Sequence, residues 1–370
     1  MFRIIKTCFR GGLLALLSAG ALVAASGRDD AVEKARALIA REVVPKVPGM
    51  AVAVAIDGVM VWADEVGYAD LAKQIRVTSE TRFRIGSVSK PIAAAGLALL
   101  VERGRLDLDA PIQTYIPDYP KTSLPITVRL LAGHLSGIRD YRKGEALSNI
   151  AYPDARSRLK IFEDDPLENL PGTTFKYAGY NWNVIEVAIE RAAGQRFDAY
   201  IEANVLQPLH LTDTRAEQPD PADAQRAQFY EVDDAGAFVM GPPIDVRHAW
   251  AVGGYLSTAK DLVRFGSALL RPGYLKESSR RALFTSQTTS DGKSTGYGMG
   301  WSIYSQPKVI FHSGWTVGGL SILLMLPESN TVVAVVTNRG SLNVPENHRL
   351  YFNIEEIGYK IARIFGESGR

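Results

Sequence analysis

Hydrophobic positions along the chain follow two periods, and the two are segregated. Gly49 to Ile56 is an unbroken apolar and β-branched run, Asp57-Gly58 interrupts it, and Val59 to Ala63 resumes it. Asp-Gly between two such runs predicts a β-hairpin. A counterpart lies near the C-terminus, where Leu320 to Leu326 and Thr331 to Val336 flank Pro327-Glu328-Ser329-Asn330. Helical spacing brackets these strands. Val32, Ala35, Leu38 and Ile39 share one face of a helix predicted over 29–44, and a closing helix is predicted over 350–365. The middle of the chain reads as helices over 92–101, 128–131, 184–192, 197–206 and 259–270, with Gly104 ending the first. Pro171-Gly172 and Pro219-Asp220-Pro221 mark breaks, and residues 142–170, polar and weakly periodic, read as a surface excursion. Strands at both ends and helices between them predict an α+β fold. Its sheet is built from N- and C-terminal segments, and a mostly helical subdomain is inserted over roughly 105–250.

The first residues stand apart from this pattern. Arg3, Lys6 and Arg10 precede a small-and-apolar run from Gly11 to Ala25, with Val23-Ala24-Ala25 at its end. A basic head, a short apolar stretch and small residues predict a Sec-type signal peptide over 1–25, and hence a periplasmic or secreted protein. The run is shorter than the roughly 20 apolar residues a membrane span needs, so no stable span is expected after cleavage. Residues 26–370 then form a single domain.

Charge and cysteine content narrow the chemistry. Lys+Arg number 42 and Asp+Glu 40, a net charge of +2. That balance disfavours a nucleic-acid partner, which would require many neutralised phosphates. Removing residues 1–25 takes away three positive charges, so +2 falls to −1, and takes away Cys8, the only cysteine. An internal disulfide framework and a cysteine-based zinc site are thereby excluded. The five histidines (His134, His210, His248, His312, His348) show no H-E-x-x-H pattern. No cofactor or metal is expected.

Candidate chemistry centres on Phe83-Arg-Ile-Gly-Ser87-Val-Ser-Lys90-Pro91. With Ser87 opening the helix over 92–101, Ser87 and Lys90 fall one turn apart on one face. A serine hydroxyl needs a base within hydrogen-bond reach. Lysine serves only if burial or nearby positive charge lowers its pKa from about 10.4. On spacing alone, an N-capping serine and a surface lysine remain the readier account. Further segments change that balance: Pro171-Gly-Thr-Thr-Phe-Lys-Tyr177-Ala-Gly179, Gly253-Gly254-Tyr-Leu-Ser257, Ile126-Thr-Val-Arg-Leu-Leu-Ala-Gly-His134-Leu-Ser136-Gly137, and Phe311-His312-Ser313-Gly314-Trp315 before the late hairpin.

This ordered set resembles the serine β-lactamase and penicillin-binding protein superfamily, in its class C-like branch. Leu106-Asp-Leu-Asp-Ala-Pro and the block around His134 look most like the mitochondrial serine β-lactamase-like proteins and their bacterial relatives. The resemblance spans about residues 30–365 and implies a β-lactamase/transpeptidase-like fold. It also implies an acyl-enzyme mechanism on an ester, amide or lactam carbonyl; Gly179 and His312 favour a small ester or peptide, with a β-lactam or a D-Ala peptide as the other candidates. By the same resemblance Ser87 is the nucleophile, Lys90 its base and Tyr177 the proton shuttle to the leaving group. His312 stands where the third motif usually has lysine, Ser313 and Gly314 complete the substrate-binding strand edge, and the N–H groups of Ser87 and Trp315 form the oxyanion hole. A tyrosine near a lysine is expected to gain acidity. His312, with a reference pKa of about 6.5, is expected to bring pH dependence. A side chain at Gly314 is expected to block substrate approach.

One departure stands out: Gly179 replaces the asparagine usual in the family's Tyr-x-Asn motif, which weakens the case for β-lactam turnover. His134 reads as a structural turn residue and Ser136-Gly137 as turn chemistry. Trp182, Trp301 and Trp315 are candidates for a cleft lining. Gly292-Lys293-Ser294 lacks the first glycine of a phosphate loop, and no G-x-S-x-G elbow occurs. A second reading of the same fold is a penicillin-binding, sensor or scaffold module without turnover.

Overall fold

The computed structural model describes residues 11–220, 223–340 and 353–367. Among them, seven strands form one sheet: β1 Gly49–Ile56, β2 Val59–Asp70, β3 Ile75–Arg76, β4 Ser302–Ser305, β5 Lys308–Thr316, β6 Gly319–Leu326 and β7 Thr331–Thr337. Their order is β3-β2-β1-β7-β6-β5-β4, with antiparallel pairing throughout. The two chain ends therefore meet in the middle of the sheet, where Met50 pairs with Thr337 and Ile56 with Thr331. The Asp57-Gly58 turn works as its sequence predicts, with φ of 53° and 77° at the two residues. Left-handed backbone at both central positions matches the twist of the flanking strands.

β1 and β7 are apolar without alternation because both of their faces are covered. Met50, Val52, Val54, Val333 and Val335 pack under α1 Gly11–Glu42 and α5 Ile354–Glu367, against Leu38, Ile39, Ile361 and Phe365. Trp62 stacks on Phe365 with ring centroids 5.5 Å apart. The alternate residues Ala51, Ala53, Ala55, Val332 and Ala334 face the larger core on the other side, with α4 Ala259–Leu270. Small side chains on that face let the helix approach closely. A Cβ on Gly266 of α4 would lie 2.7 Å from Val332.

In the chain, between the N- and C-terminal strands, come α2 Ser89–Glu102, α3 Tyr180–Ala193 and a set of shorter helices. α2 is buried from Ser89 to Leu100, so it is the central helix of the core and its apolar residues lie on every side. Residues 142–170 lie mostly at the surface, as expected, but are anchored to the core at one point. Ala155, Arg158, Leu159 and Phe162 are buried, and Phe162 stacks on Tyr180 at 4.0 Å. This stretch has weak periodicity because its elements are single turns, Ala155–Arg158 and Leu159–Ile161, too short to repeat a pattern.

The helix predicted from residue 29 belongs to the longer α1, and the basic head of the expected signal peptide lies outside the described residues. So do residues 341–352, where the closing helix was expected to begin. Among the described residues, no helix is long and apolar enough to cross a membrane.

Candidate active site

Ser87 sits in a 3-10 turn, Gly86–Val88, immediately ahead of α2 rather than as its first residue. Gly86 makes that turn possible. Its φ is +48°, and a Cβ there would lie 2.8 Å from the backbone N and O of Trp315 at the end of β5. The nucleophile turn is thus pressed onto the end of β5 with no side chain between them. Gly314 serves the same contact from the other side. A Cβ on it would collide with the Ile85 carbonyl and Ser321 Oγ, and Ser321 Oγ–H donates to Ile85 O at 2.7 Å. This corrects the expectation that Gly314 clears a path for substrate; it clears one for the backbone that carries Ser87.

Lys90 is fully buried one turn beyond Ser87. Its Nζ lies 2.8 Å from Ser87 Oγ and donates to Val252 O at 2.7 Å. Burial lowers its pKa to about 7 from 10.5, against the attraction of Asp140, which raises it. The amine is therefore available as a base near neutral pH. The Val252 carbonyl is itself held in place, because Glu186 of α3 accepts the neighbouring Ala251 N–H at 2.9 Å.

Tyr177 donates its O–H to Ser87 Oγ at 3.1 Å. The residue is 38% exposed, yet its hydroxyl end faces inward and is desolvated, which pushes the phenol's pKa up; the hydrogen bond with Ser87 only partly opposes this. The expected gain in acidity from Lys90 is thus overturned. Lys90 Nζ lies 5.2 Å from the Tyr177 ring centroid, and burial makes the lysine neutral before it can make the phenol ionise. Tyr177 is a proton donor in the resting state.

Two histidines flank this group, and neither is charged. His312 is buried. Its Nδ1–H donates to Ser313 O at 2.6 Å, and its Nε2 accepts from Tyr297 O–H at 2.9 Å, which fixes the tautomer. Burial, then repulsion from Lys90, drops its pKa to about 3. The pH dependence expected of His312 is corrected accordingly: it stays neutral across the physiological range. His134, expected to be a turn residue, does more. It adopts φ +58°, its carbonyl accepts the Lys176 N–H at 3.0 Å, and its Nδ1 accepts the Ala178 N–H at 3.1 Å. It therefore grips the backbone on both sides of Tyr177, and its ring lies 4.2 Å from the Tyr177 ring. Asn181 Nδ2 meets the same His134 nitrogen at 3.2 Å, and Asn181 Oδ1 accepts from Ser136 Oγ–H at 2.6 Å. Asn181 is thus committed to the scaffold and does not stand in for the missing motif asparagine.

The remaining expected residues divide. Trp315 is 45% exposed and lines the same cavity as Ser87, Lys90 and Tyr177. Trp182 and Trp301 are fully buried in the core and are not part of this cavity's lining. Ser313 does not reach substrate: its Oγ–H donates to Glu355 Oε1 at 2.6 Å, on the α5 side of the sheet. Alternation along β5 sends its side chain to the opposite face from His312. Gly179 has a steric cause. A Cβ there would lie 2.6 Å from the Tyr141 ring, which fills the space an asparagine would take. Tyr141, Glu186 and Arg158 of the cavity region carried no motif and were not singled out by sequence. The cavity encloses about 190 Å³. Chemically, it presents a serine oxygen between a base and a phenolic donor, suited to attack on a small carbonyl compound.

Comparison with known proteins agrees with this geometry. The family model described as Beta-lactamase matches residues 35–356. The mitochondrial serine beta-lactamase-like protein LACTB of Mus musculus is 28% identical, over 82% of this chain and 74% of its own length. The octameric penicillin-binding protein homologue from Pyrococcus abyssi superposes with a TM-score of 0.78 at 26% identity, over 90% of this chain and 77% of its own. The D-amino acid amidase from Ochrobactrum anthropi SV3 has the same fold, with a TM-score of 0.78 at 22% identity, over 92% of this chain and 99% of its own. A match of that extent, on a fold that carries the serine, lysine and tyrosine in contact, places the chain in the Beta-lactamase family of serine β-lactamase-like hydrolases.

Proposed function

We propose that the protein hydrolyses a small ester or amide through an acyl-enzyme on Ser87. One observation carries this reading: Ser87 Oγ lies 2.8 Å from a lysine amine whose pKa is about 7 and accepts a 3.1 Å hydrogen bond from Tyr177. Neutral Lys90 takes the hydroxyl proton as Ser87 Oγ bonds to the substrate carbonyl carbon. The N–H groups of Ser87 and Trp315 receive the oxyanion. Tyr177 gives its proton to the leaving group as the bond to the carbonyl carbon breaks. Lys90 then returns its proton to the tyrosinate, and water attacks the acyl-enzyme by the same proton route. His312 takes no part in proton transfer. Its neutral ring buttresses Tyr297 beside the His134–Tyr177 pair.

An ester or amide is favoured over a β-lactam because Tyr141 occupies the place of the motif asparagine. That same feature favours the alternative, a module that is acylated once and does not turn over. Purified protein assayed against nitrocefin, 4-nitrophenyl esters and D-amino-acid peptides separates the readings. Turnover of an ester or peptide, lost in Ser87→Ala, is the expected result. A persistent penicillin adduct without turnover supports the alternative. Rapid nitrocefin hydrolysis would contradict the substrate preference. We also propose export through residues 1–25, supported by the basic head and apolar run. N-terminal sequencing of the mature protein after residue 25 is the test.

A further inference from the structure

The single-turn helix Trp250–Gly253 packs against both α2, which carries Lys90, and α3. Toward α2 it is laced to the reactive segment. Val252 O accepts from Lys90 Nζ at 2.7 Å, the Tyr255 N–H donates to Ser89 Oγ at 3.2 Å, and Tyr255 O accepts the Ile85 N–H at 3.1 Å. Toward α3 it is tied by two side chains one turn apart. Glu186 accepts the Ala251 N–H at 2.9 Å, and Asn183 Nδ2 donates to His248 O at 3.1 Å just ahead of the turn.

The first N–H groups of a helix have no partner within it. Elsewhere in the middle of the chain the preceding residue supplies one: Thr127, Asp154 and Thr258 each cap their own first turn. Ala249, in that place before Trp250–Gly253, makes no side-chain cap. Glu186 takes the task from another helix, and it does so fully buried. A carboxyl is a costly group to bury. Its second oxygen, Oε1, has no partner. Desolvation, with repulsion from Glu190 and Asp198, outweighs the Ala251 hydrogen bond and the attraction of Arg158, and pushes its pKa up to about 8. The phenols near it, Tyr141 and Tyr255, have raised pKa values and stay protonated. At neutral pH Glu186 therefore offers Ala251 an oxygen acceptor more than a charge.

This hold reaches Lys90 through one peptide unit. A neutral amine carries two N–H groups and one lone pair in fixed tetrahedral relation. With one N–H on Val252 O, the lone pair is aimed at Ser87 Oγ, 2.8 Å away; without that anchor the amine rotates. We propose that Glu186 is a positioning residue for Lys90: through the Ala251 N–H it fixes the Val252 carbonyl, which turns the lysine lone pair toward Ser87. The inference rests on the hydrolase reading and adds a residue that acts at a distance from the reacting atoms.

A pH signature follows. Val252 O also accepts from the ammonium formed when Lys90 takes the proton, and a hydrogen bond to the charged form raises a pKa. A loosened carbonyl therefore lowers the Lys90 pKa while it slows the reaction. The other groups acting on Lys90 are Asp140, which attracts its charge, and His134 and His312, which burial keeps neutral. None of them lies on α3 or on the turn Trp250–Gly253.

The test is the rate of Ser87 labelling by an uncharged fluorophosphonate, followed by intact mass from about pH 5 to about pH 9 in the full chain. Glu186→Met, of similar length and without a strong acceptor, is expected to lower the plateau about 10-fold and to move the bend down by about 1 pH unit. Glu186→Gln keeps an acceptor oxygen and is expected to restore both. Circular dichroism establishes that each variant is folded. A folded Glu186→Met with plateau and bend unchanged, a lower plateau with the bend unmoved, or a Glu186→Gln that behaves like Glu186→Met overturns the positioning role. Wild-type labelling that is absent, or that shows no bend, overturns the hydrolase reading with its Lys90 base instead. If Glu186→Met does not fold, Ala251→Pro removes the same hydrogen bond from its other end, in a first turn that tolerates proline. The same two changes in Ala251→Pro support the role, and the absence of either overturns it.

Discussion

The two walls of the cavity are built on opposite principles. On one, α2, the Ser87 turn and the end of β5 meet backbone to backbone, and the polar side chains are held by partners: Ser87 Oγ with Lys90 and Tyr177, Lys90 with Val252, Ser321 with Ile85. On the other, the irregular stretch through Tyr141 and Arg158 holds bulky side chains, and two buried guanidinium nitrogens have no acceptor. The first wall sets reactivity by exclusion of water, which lowers the lysine's pKa and raises the tyrosine's. The second sets the shape of the cavity, since the Tyr141 ring fills the space beside Gly179. Chemistry here is preorganised and recognition is left open, a division consistent with one reactive core serving different substrates.

The sharpest break of this comparison is Ser87→Ala. It should lower turnover by about 10⁴-fold or more, measured by ester hydrolysis, with the fold intact. Next is Gly314→Ala on the same wall. The added methyl meets the Ile85 carbonyl and shifts the Ser87 turn, so the acylation rate should fall by about 10²-fold, with about 1–3 kcal/mol of stability lost in urea unfolding. His134→Ala frees the backbone on either side of Tyr177 and should slow acylation by about 10-fold, because the phenol loses its fixed aim at Ser87.

A smaller effect tests the burial argument alone. The folded pKa of Lys90, about 7, lies below its ordinary 10.5, so between those values the unfolded chain holds more protons. Stability should therefore rise with pH across that window. Lys90→Met should remove the rise and be most stabilising, relative to wild type, below about pH 7. Chemical denaturation at several pH values measures it.

Much of the reactive wall was legible in sequence because it is local. The unbroken runs at Gly49–Ile56 and Thr331–Val336 announce strands covered on both faces, and Asp57-Gly58 fixes their hairpin. Ser87 and Lys90 lie one turn apart on the chain, and any base for that serine is easily sought there. What escaped reading depends on facing and burial. Ser313 turns to Glu355 by strand alternation at a point where the sequence cannot say which face is the cavity. His312 is neutral only because it is enclosed, which no motif records. Arg158 belongs to a single turn inside a stretch with no period, and its missing partner is visible only once every neighbouring carboxylate has been placed. The gap at Gly179 could be noticed in sequence, but its cause, the Tyr141 ring, comes from a segment 38 residues earlier.

The central claim is that a buried, neutral Lys90 activates Ser87 near neutral pH. It is tested most directly by the rate of Ser87 labelling with an uncharged fluorophosphonate, followed by intact mass from about pH 5 to about pH 9. The rate should rise about tenfold per pH unit at the acid end, bend near pH 7 and then level, and His312→Gln should leave the bend unmoved. A rate still rising at pH 9 with no bend, or a bend that vanishes in His312→Gln, would contradict it.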